Sequence, residues 1–211
     1  MFLLLVVCLL AVALVPSGCT VVKGQQSKQQ EPLPTTDVAP LGNRILIVSP
    51  HPDDEGLATA GLLQQAVKGH VDVRVVVVAA GETSARAVHS LSQTAPPSTE
   101  EFRKMGSARC QETRNALATL GVPANDVIFL TYADGSVNSM WDVNWDYSKL
   151  HTGCTGTDHS PYSFSYEKDA AYCGANLVKN LTSIVKDYKP TSIVYPDEYD
   201  QHHDHWGAGR A

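Results

Sequence analysis

The sequence predicts an α/β fold, a Rossmann-like, doubly wound, mostly parallel sheet flanked by helices. Short β-rich segments alternate with helical segments from residue 44 onward, in the order βαβαβ. The segment 71–79 is mostly Val and shows no polar alternation beyond Arg74, which is typical of a strand covered by helices on both faces. Both observations favour an internal parallel sheet.

The individual elements follow from local patterns. Ser98 and Glu101 have the spacing of a capping box, and Gly121 and Pro123 stop the same helix at its far end. A final amphipathic helix ends before Pro190. The pattern predicts strands at 44–49, 71–79, 127–132 and 191–195, and helices at 57–68, 100–120 and 168–188.

The N-terminal segment reads as an export signal that precedes the domain. Residues 2–15 form an apolar run of about fourteen residues, shorter than the roughly twenty that span a bilayer. Residues 15–19 resemble the lipobox of bacterial lipoproteins, so Cys19 is either a lipid-anchored membrane tether or a small residue near an ordinary cleavage site. We expect a signal peptide at 1–18, a flexible Gln- and Pro-containing linker at 19–42 and one domain at 43–211. The protein is then exported to the cell envelope or outside the cell.

Composition and cysteine content set further expectations. The net charge of -6 and the 18% charged residues are ordinary and give no indication of a nucleic-acid partner. An oxidising compartment would permit Cys154 to pair with Cys173. Cys110 lies on a predicted helix and is expected to be a small buried apolar residue. The sequence makes no prediction of oligomeric state.

Two polar motifs follow two different strands. HPDDE, residues 51–55, comes directly after the first strand, and DQHHDH, residues 200–205, comes shortly after the last. Ligands of open parallel sheets gather beyond the carboxyl ends of the strands, so the motifs should meet there. His51 and Asp54 are close in sequence and His205 follows about 150 residues later, a spacing typical of a catalytic zinc site.

Amide hydrolysis needs the residue types that these motifs supply. A carboxylate beside the metal ligands can take a proton from water and deliver it to the leaving amine, and Asp53 has that position. An imidazolium at His202 could offset charge on the tetrahedral intermediate. Asp204 could orient a neighbouring imidazole from outside the ligand set, or equally cap a helix. Taken singly, HPDDE could be a proline turn with an acidic helix start and DQHHDH a solvated surface loop.

The two motifs together resemble those of the PIG-L/LmbE-like zinc-dependent N-acetylglucosamine deacetylases. The resemblance extends to residues 109–112 (RCQE) and 133–135 (ADG). It implies zinc ligands at His51, Asp54 and His205, a general base at Asp53, and oxyanion stabilisation by His202. It also implies that Arg109 and Asp134 contact the substrate, although Asp134 before Gly135 would otherwise be read as a turn residue. Relatives usually continue with more sheet beyond this point, so one alternative is a C-terminal truncation at Ala211.

The predicted function is that of a zinc-dependent hydrolase that removes acetyl from an N-acetylated amino sugar or a related small amide. An aromatic segment at 133–166 either selects the substrate or packs onto the domain. The alternative from another class is a surface lipoprotein that binds metal or carbohydrate without turnover. Asp53 separates these functions, because a metal scavenger has no need of a carboxylate beside its ligands.

Overall fold

Four parallel strands form one sheet in the order β3-β2-β1-β4 in a computed structural model that describes residues 39–93, 96–197 and 199–211. The strands are β1 (Arg44–Ser49), β2 (Asp72–Ala79), β3 (Val127–Tyr132) and β4 (Ser192–Val194). In the register, Ile45 lies beside Val73 on one side and Ser192 on the other. The predicted parallel α/β sheet is therefore confirmed.

Helices cover both faces of this sheet. They are α1 (Asp54–Lys68), α2 (Ala85–Ser92), α3 (Thr99–Thr119), α4 (Val137–Asp142), α5 (Gly174–Tyr188) and α6 (His203–Arg210), and short 3-10 turns occupy Ala39–Leu41 and Ala124–Asp126. Helices α2 and α4 were not predicted from the sequence. The capping box of α3 is confirmed, since Ser98 Oγ accepts from Glu101 N and the Glu101 carboxylate accepts from Ser98 N.

The last long helix starts later than predicted. Residues 168–173 are not helical because the backbone there pairs with the segment before it: Ser160 N donates to Ala170 O at 2.9 Å and Tyr172 N to Asp158 O at 3.0 Å. Cys173 then becomes the N-cap of α5. A competing backbone pairing has overridden a helical pattern that was correct from Gly174 onward.

Two apolar clusters lie on opposite faces of the sheet. Alternate strand residues such as Leu46 and Val76 pack with α4, α5 and Ala208 of α6. Their neighbours, such as Ile47 and Val75, pack with α1 and α3, including Cys110. This two-sided burial explains the valine-rich β2 and confirms the buried position expected for Cys110.

Part of the aromatic segment packs onto the domain, whereas Trp145, Tyr147 and Tyr166 are exposed. Tyr162 is buried and stacks near Phe164, which in turn meets Phe129 of β3 edge to face. Trp141 donates from Nε1 to Gly207 O at 2.7 Å. Cys154 and Cys173 are both free, so the disulfide that an oxidising compartment would permit is not present in the structure.

The predicted signal peptide and most of the predicted linker, including Cys19, lie outside the described residues. Among residues 39–211 that the structure describes, none of the helices is both long and apolar enough to cross a membrane.

Candidate metal centre and active site

The two polar motifs meet at the carboxyl edge of the sheet. β1 leads into His51, and the turn after β3 carries Asp134. The loop after β4 leads into α6, which begins at His203. Because parallel strands end at one edge, side chains that are about 150 residues apart in sequence come into contact. The predicted convergence of the motifs is therefore what the fold produces.

His51 is the centre of this cluster, and both of its ring nitrogens face carboxylates. Nδ1 lies 3.1 Å from Asp54 Oδ2. Nε2 lies 3.1 Å from both Asp134 Oδ1 and Asp204 Oδ2. The His51 residue is only 7% exposed. One nitrogen can therefore serve a metal ion while the other stays hydrogen-bonded to a buried carboxylate.

The predicted ligands His51, Asp54 and His205 come together. Asp54 Oδ2 lies 3.1 Å from His51 Nδ1 and 3.2 Å from His205 Nε2. His205 Nδ1 lies 3.0 Å from Asp200 Oδ2, which orients the ring. Two imidazoles and one carboxylate form a donor set that suits zinc. The residues present therefore fit the ion that the motifs suggested.

Two other groupings bring possible ligand atoms within 4.8 Å of one another. One joins His51 and His205 with His202, and the other joins His51 with Asp134 and Asp204. Both groupings share His51. The cluster is thus continuous, with imidazoles on the more exposed side and carboxylates on the buried side.

The electrostatics of the cluster favour a protonated His51 when no metal is bound. Burial opposes the charged imidazolium, but hydrogen bonds to Asp134, Asp204 and Asp54 outweigh it and raise the pKa of His51 to about 11. Burial likewise opposes ionisation of Asp54, yet the hydrogen bond from His51 and the charge of His205 hold the pKa of that carboxyl below its usual range. The pKa of Asp134 is lowered for the same reason, mainly by His51.

Asp204 connects α6 to the rest of the site. Its side chain is fully buried, and its oxygens accept from Gly135 N at 2.7 Å and Val137 N at 2.9 Å as well as facing His51. The N-cap of α6 is His202 and not Asp204, so the helix-cap alternative for Asp204 is wrong. The carboxylate lies where a group that orients His51 would have to be.

His202 lies at the exposed start of α6. Its Nδ1 accepts from Asp204 N at 3.3 Å, which is how it caps the helix. Its ring centroid is 4.8 Å from that of His51 and 4.6 Å from that of His205. An imidazole in this place faces the open side of the candidate ligands.

Asp53 and Arg109 form an ion pair. Arg109 Nη2 lies 2.8 Å from Asp53 Oδ2, and the Asp53 side chain is 57% exposed. The guanidinium also donates to the carbonyls of Gly81 and Pro52. Arg109 thus contacts the proposed general base, and its predicted role in substrate binding remains a prediction.

Asp134 faces the metal cluster. Besides His51, it accepts from Thr83 N at 2.9 Å and Thr83 Oγ1 at 2.7 Å. These bonds fix the carboxylate beside the imidazole. Its predicted contact with substrate also remains a prediction.

Glu82 and Asp200 also belong to the site, although neither was predicted from the sequence. Glu82 is fully buried, accepts from Asp134 N at 3.2 Å, and has its second oxygen without a partner among the described residues. Burial and the neighbouring charge of Asp134 raise the pKa of Glu82 to about 8. Its position just past the end of β2 was the available signal, because β1 and β3 carry His51 and Asp134 at the same edge.

A cavity of about 240 Å³ opens beside the candidate ligands. Asp54 and His205 form part of its wall, together with Ala58, Val194 and Tyr195. A small molecule can therefore approach the carboxylate and imidazole through a partly apolar groove.

The chain matches a known protein family and known enzymes in sequence. The family model described as GlcNAc-PI de-N-acetylase (PIG-L) matches residues 46–211. A 1D-myo-inositol 2-acetamido-2-deoxy-alpha-D-glucopyranoside deacetylase of Tsukamurella paurometabola is 28% identical over 173 residues, which cover 80% of this chain and 53% of that enzyme. The chain thus spans about half the length of this relative.

Solved structures share the fold. An N,N'-diacetylchitobiose deacetylase from Pyrococcus horikoshii superposes with a TM-score of 0.52 at 20% identity, over 80% of this chain and 47% of that one. GalB, the 4-carboxy-2-hydroxymuconate hydratase from Pseudomonas putida, superposes with a TM-score of 0.51 at 18% identity, over 80% and 53%. One fold therefore carries deacetylases and a hydratase, and this likeness concerns the fold alone.

The family match covers both motifs and the strands that present them. HPDDE and DQHHDH lie inside residues 46–211 and meet at the carboxyl edge of the sheet. The resemblance drawn from the motifs is confirmed: this chain belongs to the PIG-L family of GlcNAc-type de-N-acetylases.

Proposed function

We propose that the protein is a zinc-dependent deacetylase that hydrolyses the acetamide of an N-acetylglucosamine-type sugar. The observation that carries this proposal is the Asp54 carboxylate oxygen, 3.1 Å from His51 Nδ1 and 3.2 Å from His205 Nε2. The family and the Tsukamurella deacetylase support an N-acetylated sugar as substrate.

The ligands would be His51, Asp54 and His205. When bound, zinc lowers the pKa of a coordinated water toward about 7 and polarises the acyl oxygen. The chain's own residues prepare this site: Asp204 and Asp134 fix the ring of His51, and Asp200 fixes that of His205. Such carboxylate–imidazole contacts set which ring nitrogen is free to bind a metal.

Asp53 would handle the proton. Its side chain is largely exposed and follows the ligand His51 by two residues, so its carboxylate is accessible to a water molecule at the site and could accept a proton from it. The same carboxyl group can then return the proton to the departing amine, which needs it to leave. His202, exposed beside both ligand rings, would stabilise negative charge on the acyl oxygen.

The test is acetate release from a panel of N-acetylated sugars, with and without a chelator. We expect Asp53→Asn to bind zinc in the same ratio as the wild type while acetate release falls on the order of 100-fold or more. Asp142→Asn, a change on the exposed surface of α4, is the matched control and should retain full activity.

Other results point to other functions. Full activity in Asp53→Asn contradicts the assignment of the base. Stoichiometric zinc without hydrolysis of any acetamide favours the non-catalytic metal-binding alternative. Hydration of an unsaturated acid would point to the hydratase chemistry that the shared fold also supports.

Export of the protein is a further part of the proposal. The apolar residues 2–15 support a signal peptide at 1–18, and Cys19 offers a site for a lipid tether. Cell fractionation with and without Cys19→Ser tests both points. We expect the wild-type protein in the envelope or medium, and release from the membrane in the variant if Cys19 is lipidated.

A further inference from the structure

Arg109 joins three separate parts of the fold. It lies in α3, and its Nη1 donates to Gly81 O at 2.9 Å in the loop after β2. Its Nη2 donates to Pro52 O and lies 2.8 Å from Asp53 Oδ2, both in the turn after β1. A guanidinium has a planar fork of donors that can hold several acceptors in a fixed arrangement. The side chain is therefore engaged before any substrate arrives.

Gly81 leaves the space that this arrangement needs. Its φ is +71°, and a Cβ at this position would collide with Arg109 Nη1 and lie 2.9 Å from both Arg109 Cζ and Pro52 Cδ. Any larger residue would push the guanidinium away from the turn. The position of the Arg109 guanidinium therefore depends on the absence of a side chain at Gly81.

The turn held by Arg109 is strained. Asp53 has a φ of 118°, a region that residues with a side chain rarely adopt. Such a conformation is energetically unfavourable and persists only where the surroundings hold it in place. Two of the three acceptors of Arg109 belong to this turn, so the guanidinium is well placed to hold it.

We propose that Arg109 is a positioning residue, which fixes the strained turn and the carboxylate of Asp53 and does not primarily contact the sugar. This inference rests on the proposed function, in which Asp53 is the general base. Ion pairing to Arg109 sets the direction in which the Asp53 carboxylate points. The Asp53 side chain is 57% exposed and lines a cavity of about 270 Å³ together with Arg109, so its carboxylate stays accessible.

Kinetics separate positioning from substrate binding. In Arg109→Ala the acetamide still binds but the base is misplaced, so we expect kcat to fall on the order of 100-fold with KM changed less than about twofold. Gly81→Ala should give the same pattern by displacing the guanidinium. Added guanidinium ion should restore part of kcat in Arg109→Ala. A rise in KM with kcat retained would show a substrate contact and overturn the proposal.

Hydrogen exchange tests the same inference without turnover. In Arg109→Ala and Gly81→Ala, the amides of residues 50–58 should exchange faster, because the turn has lost its hydrogen bonds to the guanidinium. Unchanged exchange in this peptide overturns the proposal even if no substrate is ever found. A wild type that hydrolyses no acetamide would instead overturn the proposed function, since exchange still reports on Arg109.

Matched controls remove general effects. Lys104→Ala removes an exposed cation from the same helix, and Gly61→Ala adds a methyl group where nothing lies within 4 Å. Neither should alter kcat, zinc content or exchange at residues 50–58. Arg109→Lys keeps the charge but loses the fork, so we expect it to recover only part of the lost kcat.

Discussion

The buried carboxylate of Asp204 lies 3.1 Å from Nε2 of His51, although the two residues are 153 positions apart in the chain. The same carboxylate accepts from the backbone of Gly135 and Val137. α6, the turn after β3 and the turn after β1 are therefore held together by one side chain. Its removal should affect both stability and metal binding.

We predict that Asp204→Ala weakens zinc binding about 10- to 100-fold, because His51 loses the group that orients it. The free energy of unfolding should fall by about 3 kcal/mol, since the buried amide of Val137 and the partly buried amide of Gly135 lose their acceptor. Competition with a chromophoric chelator and chemical denaturation measure the two effects. Asp187→Asn, which alters only an exposed ion pair with Arg74, is the control and should change neither quantity appreciably. Wild-type zinc affinity in Asp204→Ala would contradict the role given to Asp204.

Zinc binding should release a proton from His51. Without metal this imidazole is charged, because its pKa is raised to about 11, whereas a ligand nitrogen must be unprotonated. At pH 7 to 8 we expect release of about one proton per zinc, and an affinity that rises about tenfold per pH unit. Calorimetry in two buffers of different ionisation enthalpy measures the number of protons released per zinc ion. His70→Gln, at the opposite edge of the sheet, should leave it unchanged. Binding without proton release would mean that His51 is not the ligand or is not protonated.

Glu82 should make the stability of the metal-free protein depend on pH. Its pKa is raised from 4.5 to about 8, so between these values the folded protein holds a proton that the unfolded chain has released. Stability then falls as pH rises through this window and levels off above it. We predict that Glu82→Gln gains stability relative to the wild type from pH 5 to 8.5, on the order of a few kcal/mol.

Urea denaturation at several pH values, with a chelator present, measures this difference. Glu112→Gln, an exposed residue of α3, serves as control and should give a curve parallel to the wild type. If the stability of Glu82→Gln also varies with pH in parallel with the wild type, Glu82 is ionised in the folded protein and the burial argument fails.

Gly207 should be intolerant of a side chain. A Cβ there would lie 2.9 Å from Val137 Cγ1 and 3.1 Å from Asn138 N, where α6 packs on α4. We expect Gly207→Ala to cost about 1–3 kcal/mol despite the better helix propensity of alanine, and to weaken zinc binding because α6 carries His205. Thermal denaturation and zinc titration check both effects. Gly61→Ala, which meets open space, should be neutral or slightly stabilising. Equal stability of the two variants would contradict the tight packing of α6.

Local patterns were sufficient for the main elements of the fold. The apolar run of β2 predicted two-sided burial, and the spacing of Ser98 and Glu101 predicted the start of α3, because both signals depend on residues near each other in sequence. The error at residues 168–173 has the opposite origin. There the backbone pairs with residues 158–160, and a distant hydrogen-bond partner has no local signature.

The amino-acid sequence by itself determined the family, the two motifs and the edge of the sheet at which they meet, since the positions of the strands and motifs along the chain follow from short patterns. Only the tertiary structure decided which side chains surround the residues of the two motifs. It placed Asp204 and Asp134 on His51, Asp200 on His205, and Arg109 on Asp53. These contacts depend on side-chain directions and on burial across the fold, which the spacing of residues in a sequence does not encode.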